Sequence, residues 1–375
     1  MITVADHIKS LPRFAPAVSP KNSNLPAINL SSNENPETIF HEIIAHSLLS
    51  HQDLNRYPDP NCSEIRALLA KDGNGSAENV IVGNGSEGIL SYLFKAYCAP
   101  GTEILTANGT FVGVYILAQS FNIKCVKTPL TAHFEFDLDV IFNAINDRTS
   151  VIYLSNPNNP TGCLIPARQL QEFLAKVPSH ILVILDEAYY EYARLLSADY
   201  DDFDYLAYNN LITLRTFSKA YGLANIRFGY GFAHKEIVDT LLKVKLTFEP
   251  SGIAQRIALV AKKNAFLIEQ SVHATIGKLP DFYRFFSALN ILYVRSYANF
   301  VMISLPSLDL TKKIHSDLIE RNIRVSMLTP FGLPKCLRIT VGNQDENRAF
   351  FNAFEAVYVA AKKAYDESLL LETSK

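Results

Sequence analysis

No stretch of this sequence stays apolar for anything near the ~18 residues that a helix needs to cross a bilayer. The longest apolar runs, such as Ile181-Leu182-Val183-Ile184-Leu185, have the length of buried strands. Net charge is also scarce: 35 basic against 37 acidic residues leave −2, which offers no electrostatic footprint for nucleic acid or an anionic membrane as partner. The five cysteines, at positions 62, 98, 125, 163 and 336, are odd in number, form no CxxC pair and have no clustered histidines beside them. That argues against a disulfide framework and against a metal centre, and leaves reduced thiols packed as small apolar groups. There is no internal repeat and no low-complexity tract. The first 20 residues lack the basic-then-apolar order of a secretory leader, so a cytoplasmic location is expected.

What the sequence does hold is 375 residues, 48% apolar and 19% charged, the profile of a globular enzyme with one large and one smaller domain. Between about residues 60 and 285, short β-branched runs alternate with helical stretches. Val80-Ile81-Val82, Glu103-Ile104-Leu105-Thr106, Val151-Ile152-Tyr153-Leu154, residues 181–185 and Leu211-Ile212-Thr213-Leu214 are the strand candidates. Continuous apolar strands separated by helices predict a mostly parallel sheet covered on both faces, an α/β architecture. The tail differs: strands at residues 298–304 and 336–341 flank a helix over about 310–321, and Phe350, Phe354, Val357 and Ala361 share one stripe of a last helix. The expected division is residues 1–45 as an N-terminal arm and part of the small domain, 46–285 as the large domain, and 286–375 as the C-terminal small domain.

Four motifs carry chemistry. Gly83-Asn84-Gly85-Ser86-Glu87-Gly88 follows a strand and opens a helical pattern. Taken alone it is a weak dinucleotide signal, because no acidic ribose anchor follows about 20 residues later. Its general meaning is a backbone that lets an anion approach a helix start; a plain glycine turn is the alternative. Asn156-Pro157-Asn158-Asn159-Pro160-Thr161-Gly162 makes a rigid turn after a buried strand, at the sheet edge where open α/β folds bind ligands. Asp186, heading Asp186-Glu187-Ala188-Tyr189, ends an apolar strand. A carboxylate there needs a cationic partner, unless it caps the next helix. Finally, Thr216-Phe217-Ser218-Lys219-Ala220-Tyr221-Gly222 sets one lysine among hydroxyls after a strand, with Arg227 eight positions on. A lysine amine so placed can condense with a carbonyl, and hydroxyls with a guanidinium suit a phosphate.

Together these motifs resemble the fold-type-I aminotransferases, the histidinol-phosphate aminotransferase branch most closely, over about residues 11–361. The resemblance implies the fold-type-I transferase fold and pyridoxal 5'-phosphate as cofactor, joined to Lys219, which also serves as general base and acid. Asp186 would pair with the pyridine nitrogen, Asn159 and Tyr189 with the 3'-oxygen, and Phe111 would stack on the ring. Gly85, Ser86, Glu87, Thr216, Ser218 and Arg227 would take the phosphate, with Tyr57 reaching across from the second subunit of a homodimer. Asn33, in Ser31-Ser32-Asn33-Glu34-Asn35-Pro36, and Arg338 would face the substrate. The implied reaction is ping-pong amino transfer between a small-molecule donor and a 2-oxo acid such as 2-oxoglutarate, in amino-acid and specifically histidine biosynthesis. An aromatic amino acid aminotransferase and a decarboxylase of the same architecture are the alternatives. The chain departs from the family at four places: Glu87-Gly88 stands for Asp-Glu, Asn225 for a glycine, and Phe14 for a tyrosine of the arm. Ser326 replaces a phosphate-gripping arginine, and Arg324, two residues earlier, is the candidate substitute.

Overall fold

Two sheets organise the chain in the computed structural model, which describes residues 2–11, 27–49, 54–201 and 204–373. The short strand β1 (Ile28–Leu30) is followed by seven strands of the larger sheet. These are β2 (Val80–Asn84), β3 (Glu103–Ala107), β4 (Lys124–Thr128), β5 (Thr149–Ser155), β6 (Leu182–Asp186), β7 (Leu211–Thr216) and β8 (Phe228–Ala233). Their order is β2-β8-β7-β6-β5-β3-β4, and the links from β7 through β4 are all parallel. Strands β5, β6 and β7 are almost wholly buried, as their unbroken apolar runs predict. Mostly parallel α/β was the expected class, and it is the class observed.

β8 was not legible beforehand. Its sequence Phe228-Gly229-Tyr230-Gly231-Phe232-Ala233 reads like a turn, yet it runs antiparallel between β2 and β7. The three aromatic rings point into one apolar core, while a Cβ at Gly229 would collide with the backbone of Gly85 and Ser86. Glycine there lets the start of the helix Gly85–Tyr97 sit directly on the sheet.

The smaller sheet comes from the tail plus β1. Strands β9 (Leu292–Tyr293), β10 (Phe300–Ser304), β11 (Ile323–Met327) and β12 (Cys336–Thr340) order as β1-β11-β12-β10-β9, with β1 parallel to β11. The helix Leu308–Glu320 matches the expected one, and β11 carries Arg324 and Ser326 two apart on a strand, as the reading of Arg324 required. The last helix, Gln344–Thr373, buries Phe350, Phe354, Val357 and Ala361 against this sheet. Each large apolar side chain so buried contributes roughly 1.5–3 kcal/mol. All five cysteines are free thiols. Among the described residues, no helix is long and apolar enough to cross a membrane.

Candidate active site

The carboxyl ends of β5, β6 and β7 converge with the start of the helix Gly85–Tyr97 around a cavity of about 270 Å³. Larger clefts of about 810 and 670 Å³ lie elsewhere, but this smaller one collects the chemistry. Its walls include Ser86, Glu87, Phe111, Asn159, Asp186, Tyr189, Thr216, Ser218, Lys219 and Arg227, all of which the sequence had singled out. Ser32, Glu34, Ser155, Ala188 and Ala224 complete the lining.

At one end the groups form an anion cradle. Thr216 Oγ1 lies 3.0 Å from Ser218 Oγ and accepts from the Ser218 amide at 3.1 Å. Arg227 donates from Nη1 to Ser218 Oγ at 3.3 Å and to the Ala224 carbonyl at 3.0 Å. Arg227 itself takes the left-handed conformation, with φ 53°, so the turn that replaces the family's glycine places its strain at the arginine and not at Asn225. Gly85 has φ 71°, and a Cβ there would run into the Arg227 guanidinium. The space the glycine leaves, at the positive end of the helix Gly85–Tyr97, suits a phosphate.

On the floor, Asp186 is 4% exposed and ends β6. The next helix, Tyr190–Leu196, has Tyr189 at its N-cap, so the capping alternative for Asp186 does not hold. Tyr153 donates its hydroxyl proton to Asp186 Oδ2 at 2.8 Å, and the Ala188 amide donates to Oδ1 at 3.1 Å. Burial pushes the Asp186 carboxyl up to about 6, against those two hydrogen bonds. A positive ring nitrogen is the sort of partner that would relieve this. Directly behind, Glu187 and Arg215 form an ion pair at 3.0 Å, with both side chains no more than 3% exposed. Arg215 also stacks on Tyr190 at 3.3 Å. This pair ties together the strand ends that carry Asp186 and Thr216, and removing one partner from such a pair typically costs about 3–5 kcal/mol.

On the wall, Lys219 Nζ donates to the Ser32 carbonyl at 2.8 Å. Burial, with further repulsion from Arg338 and Arg227, brings the Lys219 ammonium down to about 7. An amine close to neutrality at ordinary pH is nucleophilic, as carbonyl condensation requires. Asn158 anchors the Asn-Pro-Thr-Gly loop: it accepts from Thr110 Oγ1 at 2.8 Å and donates to the Gly109 carbonyl at 2.9 Å. That bond joins the loop holding Asn159 to the loop holding Phe111.

Four other expected site residues lie off the cavity wall. Asn33 is 1% exposed and gives its Nδ2 to the Tyr189 hydroxyl at 2.7 Å, while its Oδ1 accepts from Thr340 at 3.1 Å. Burial pushes the Tyr189 hydroxyl up to about 12. Arg338 gives one guanidinium nitrogen to Asn159 Oδ1 and another to the Ser31 carbonyl at 2.6 Å, and its buried Nε has no partner. On β11, Ser326 faces Arg338 directly, whereas Arg324 lies one pleat further, opposite Asn29. Tyr57 is 80% exposed and stacks on Phe248 at 4.1 Å, outside its own chain's cavity. Phe14 lies outside the described residues. Tyr153 and Glu34 were missed: the first looked like one more apolar strand position, and the second stood unassigned inside a quoted motif.

This cradle, floor carboxylate and wall amine fit pyridoxal phosphate in its three distinguishing features: phosphate, pyridine nitrogen and aldehyde. Comparison with known proteins agrees. Residues 26–354 match the family described as aminotransferase class I and II. The chain is 35% identical over 336 residues to histidinol-phosphate aminotransferase 2 of Pseudomonas fluorescens, covering 89% of this chain and 90% of that protein. It is 32% identical to histidinol-phosphate aminotransferase 1 of Nitrosococcus oceani, covering 88% and 89% respectively. The fold superposes with a TM-score of 0.86 on the crystal structure of histidinol-phosphate aminotransferase from Sinorhizobium meliloti in complex with pyridoxal-5'-phosphate, at 24% identity over 95% of this chain and 98% of that one. The geometry and the match along most of the sequence lead to one conclusion: this chain belongs to the class I and II aminotransferases, the pyridoxal-phosphate-dependent enzymes that move amino groups between small molecules.

Proposed function

We propose that the chain moves the amino group of histidinol phosphate to a 2-oxo acid such as 2-oxoglutarate, in two half-reactions at the cavity around Lys219. The observation that carries the amino-transfer chemistry is that Lys219 and Asp186 line one cavity together with Thr216, Ser218 and Arg227, with burial bringing the Lys219 ammonium down to about 7. When bound, the pyridoxal ring supplies an electron sink for bonds broken at the donor's α-carbon. Lys219 acts first as nucleophile toward an aldehyde and then, once displaced, as the base and acid that carries the α-proton. Asp186 would keep a proton on the ring nitrogen, Asn159 and Tyr189 would serve the 3'-oxygen, and Phe111 would lie against the ring. Gly85, Ser86, Glu87, Thr216, Ser218 and Arg227 hold the phosphate. Asn33 acts through the Tyr189 hydroxyl it binds, and Arg338 turns from Asn159 and Ser31 to the donor's anionic group. Residues 1–45, 46–285 and 286–375 are proposed as the arm with part of the small domain, the large domain, and the C-terminal small domain; the cavity is lined by the arm and the large domain.

The donor's phosphate is assigned to Arg338 with Arg324, on the strength of the relatives' names and the shared strand face. A second reading, an aromatic amino acid as donor, is favoured by Ser326, which offers Arg338 only a short hydroxyl as cross-strand neighbour. The ratio of kcat/KM for histidinol phosphate over phenylalanine decides between them. A ratio above one supports the first reading; no turnover of histidinol phosphate in fully cofactor-loaded enzyme sinks it. Ser326→Arg is expected to raise kcat/KM for histidinol phosphate by about tenfold or more, the worth of one charge-assisted hydrogen bond, and to leave phenylalanine nearly unchanged. An equal change for both donors would remove Ser326 from any phosphate discrimination.

The enzyme is further proposed to be a homodimer in which Tyr57 serves the neighbouring cavity. Tyr57 at 80%, Leu54 at 73% and Leu246 at 63% exposure make a large uncovered apolar surface for a lone chain. Sedimentation at micromolar concentration should show a dimer, and a persistent monomer with full activity would refute this assembly.

A further inference from the structure

Asp186 depends on a side chain that the reaction does not otherwise use. Tyr153 lies on β5, fully buried, and its hydroxyl meets Asp186 Oδ2 at 2.8 Å across 33 residues of sequence. Its backbone is pinned too, since Thr106 Oγ1 donates to the Tyr153 carbonyl at 2.7 Å. β5 and β6 pair in register, Tyr153 with Ile184 and Ser155 with Asp186, so the phenol must lean one pleat forward to reach the carboxylate. A carboxylate offers about four acceptor positions. Tyr153 occupies one on Oδ2 and the Ala188 amide one on Oδ1, which leaves the others to the cavity that Asp186 lines.

We propose that Tyr153 is a positioning residue for amino transfer: its hydroxyl fixes the Asp186 carboxylate, ionised and correctly turned, to receive a cationic ring nitrogen. This rests on the reading that Asp186 faces that nitrogen. The physical need is plain. A carboxylate with so little exposure tends toward its neutral acid, and a neutral acid would neither hold the ring proton nor attract the positive ring. The groups around it divide in their effect. Glu187 next along the strand pushes Asp186 toward neutrality, while the Lys219 ammonium, the Ala188 amide and the Tyr153 hydroxyl favour the charge. Lys219 gives up its charge near neutral pH, and the Tyr189 hydroxyl, which accepts from Asn33, is not among the hydrogen-bond donors that hold Asp186. Tyr153 is therefore the side-chain donor that persists, because burial holds its own proton well past the ordinary tyrosine range.

Tyr153→Phe tests this by deleting one oxygen while keeping the ring. In the apoenzyme, the variant's loss of Tm relative to wild type is expected to be larger at pH 8, where Asp186 is ionised, than at pH 5, because a hydrogen bond to a charged acceptor is the stronger kind. Pyridoxal-phosphate affinity of the apoenzyme should fall about tenfold, and kcat should fall by a similar factor with donor and acceptor KM within twofold. In an Asp186→Asn background the same change should have a much smaller effect on affinity. Tyr153→His, which can still donate, should restore part of the affinity, and it serves as the working variant if Y153F does not fold. Wild-type cofactor affinity in Y153F with a Tm loss independent of pH would overturn the proposal. If D186N leaves cofactor affinity intact while the pH-dependent Tm effect of Y153F remains, it is the assignment of Asp186 to the ring nitrogen that fails, and the positioning role falls with it.

Discussion

Lys219→Ala is expected to lower kcat by about 10⁴-fold or more, while the protein still folds and still takes up pyridoxal phosphate. The variant loses nucleophile and proton carrier together, and among the described residues no second lysine lines the cavity to replace either. Cofactor uptake survives because the cradle of Thr216, Ser218 and Arg227 and the Asp186 floor do not depend on the amine. The wild type adds a check on the cause. Its Lys219 is brought down to about 7, so the reactive free amine grows as pH rises through neutrality, and the rate of covalent cofactor loading should climb with a midpoint near there. The sign for stability is the same: the unfolded chain's lysine, at its usual 10.5, holds a proton that the folded one has lost, so apoenzyme stability rises with pH between about 7 and 10.5. K219A should lose both trends. Turnover by K219A within tenfold of wild type would remove Lys219 from the chemistry altogether.

Asp186→Asn should cost about a thousandfold in kcat, together with weaker cofactor binding, since it removes the charge proposed to face the ring nitrogen. The amide keeps the size and can still accept from Tyr153, so the loss is electrostatic and not steric. Stability should move the opposite way. The folded Asp186 sits near 6 against 3.8 for the unfolded group, so the folded state binds the extra proton and apoenzyme stability falls as pH rises from about 4 to 6. Above that window the wild type carries an ionised carboxylate at a cost that D186N does not carry. At pH 8 apo-D186N should therefore melt no lower than apo-wild type, the usual exchange of stability for function at an active site. Steady-state rates and scanning calorimetry on the apo forms check the two halves; kcat within threefold of wild type would sink the assignment.

Much of the site could be read in advance because its chemistry demands particular residue types in short spans. Lys219 with its flanking hydroxyls, Asp186 at a strand end, and the Asn-Pro-Thr-Gly turn are each local statements. The apolar runs of β5, β6 and β7 announce burial on both faces, and with it the parallel sheet that places these loops at one edge. β8 escaped notice for a physical reason. β8 alternates glycine with aromatics, which reads as a turn until the helix Gly85–Tyr97 is laid against it. On β11, Ile323 and Val325 are buried in the core while Arg324 and Ser326 are only half-buried, so the strand alternates and lacks the unbroken apolar run of β5, β6 and β7.

Sequence alone nominated the proposed catalytic inventory, which amine, which acid and which turn, through short motifs that resemble the aminotransferases, and its apolar runs announced an α/β scaffold to carry them. Tertiary structure alone decided who attends these groups. Tyr153 reaches Asp186 across 33 residues, Asn33 reaches Tyr189 across 156, and Arg338 reaches Asn159 across 179. Such partnerships arise from strand order and crossover geometry, and a side chain's local pattern carries no record of what another segment will bring beside it.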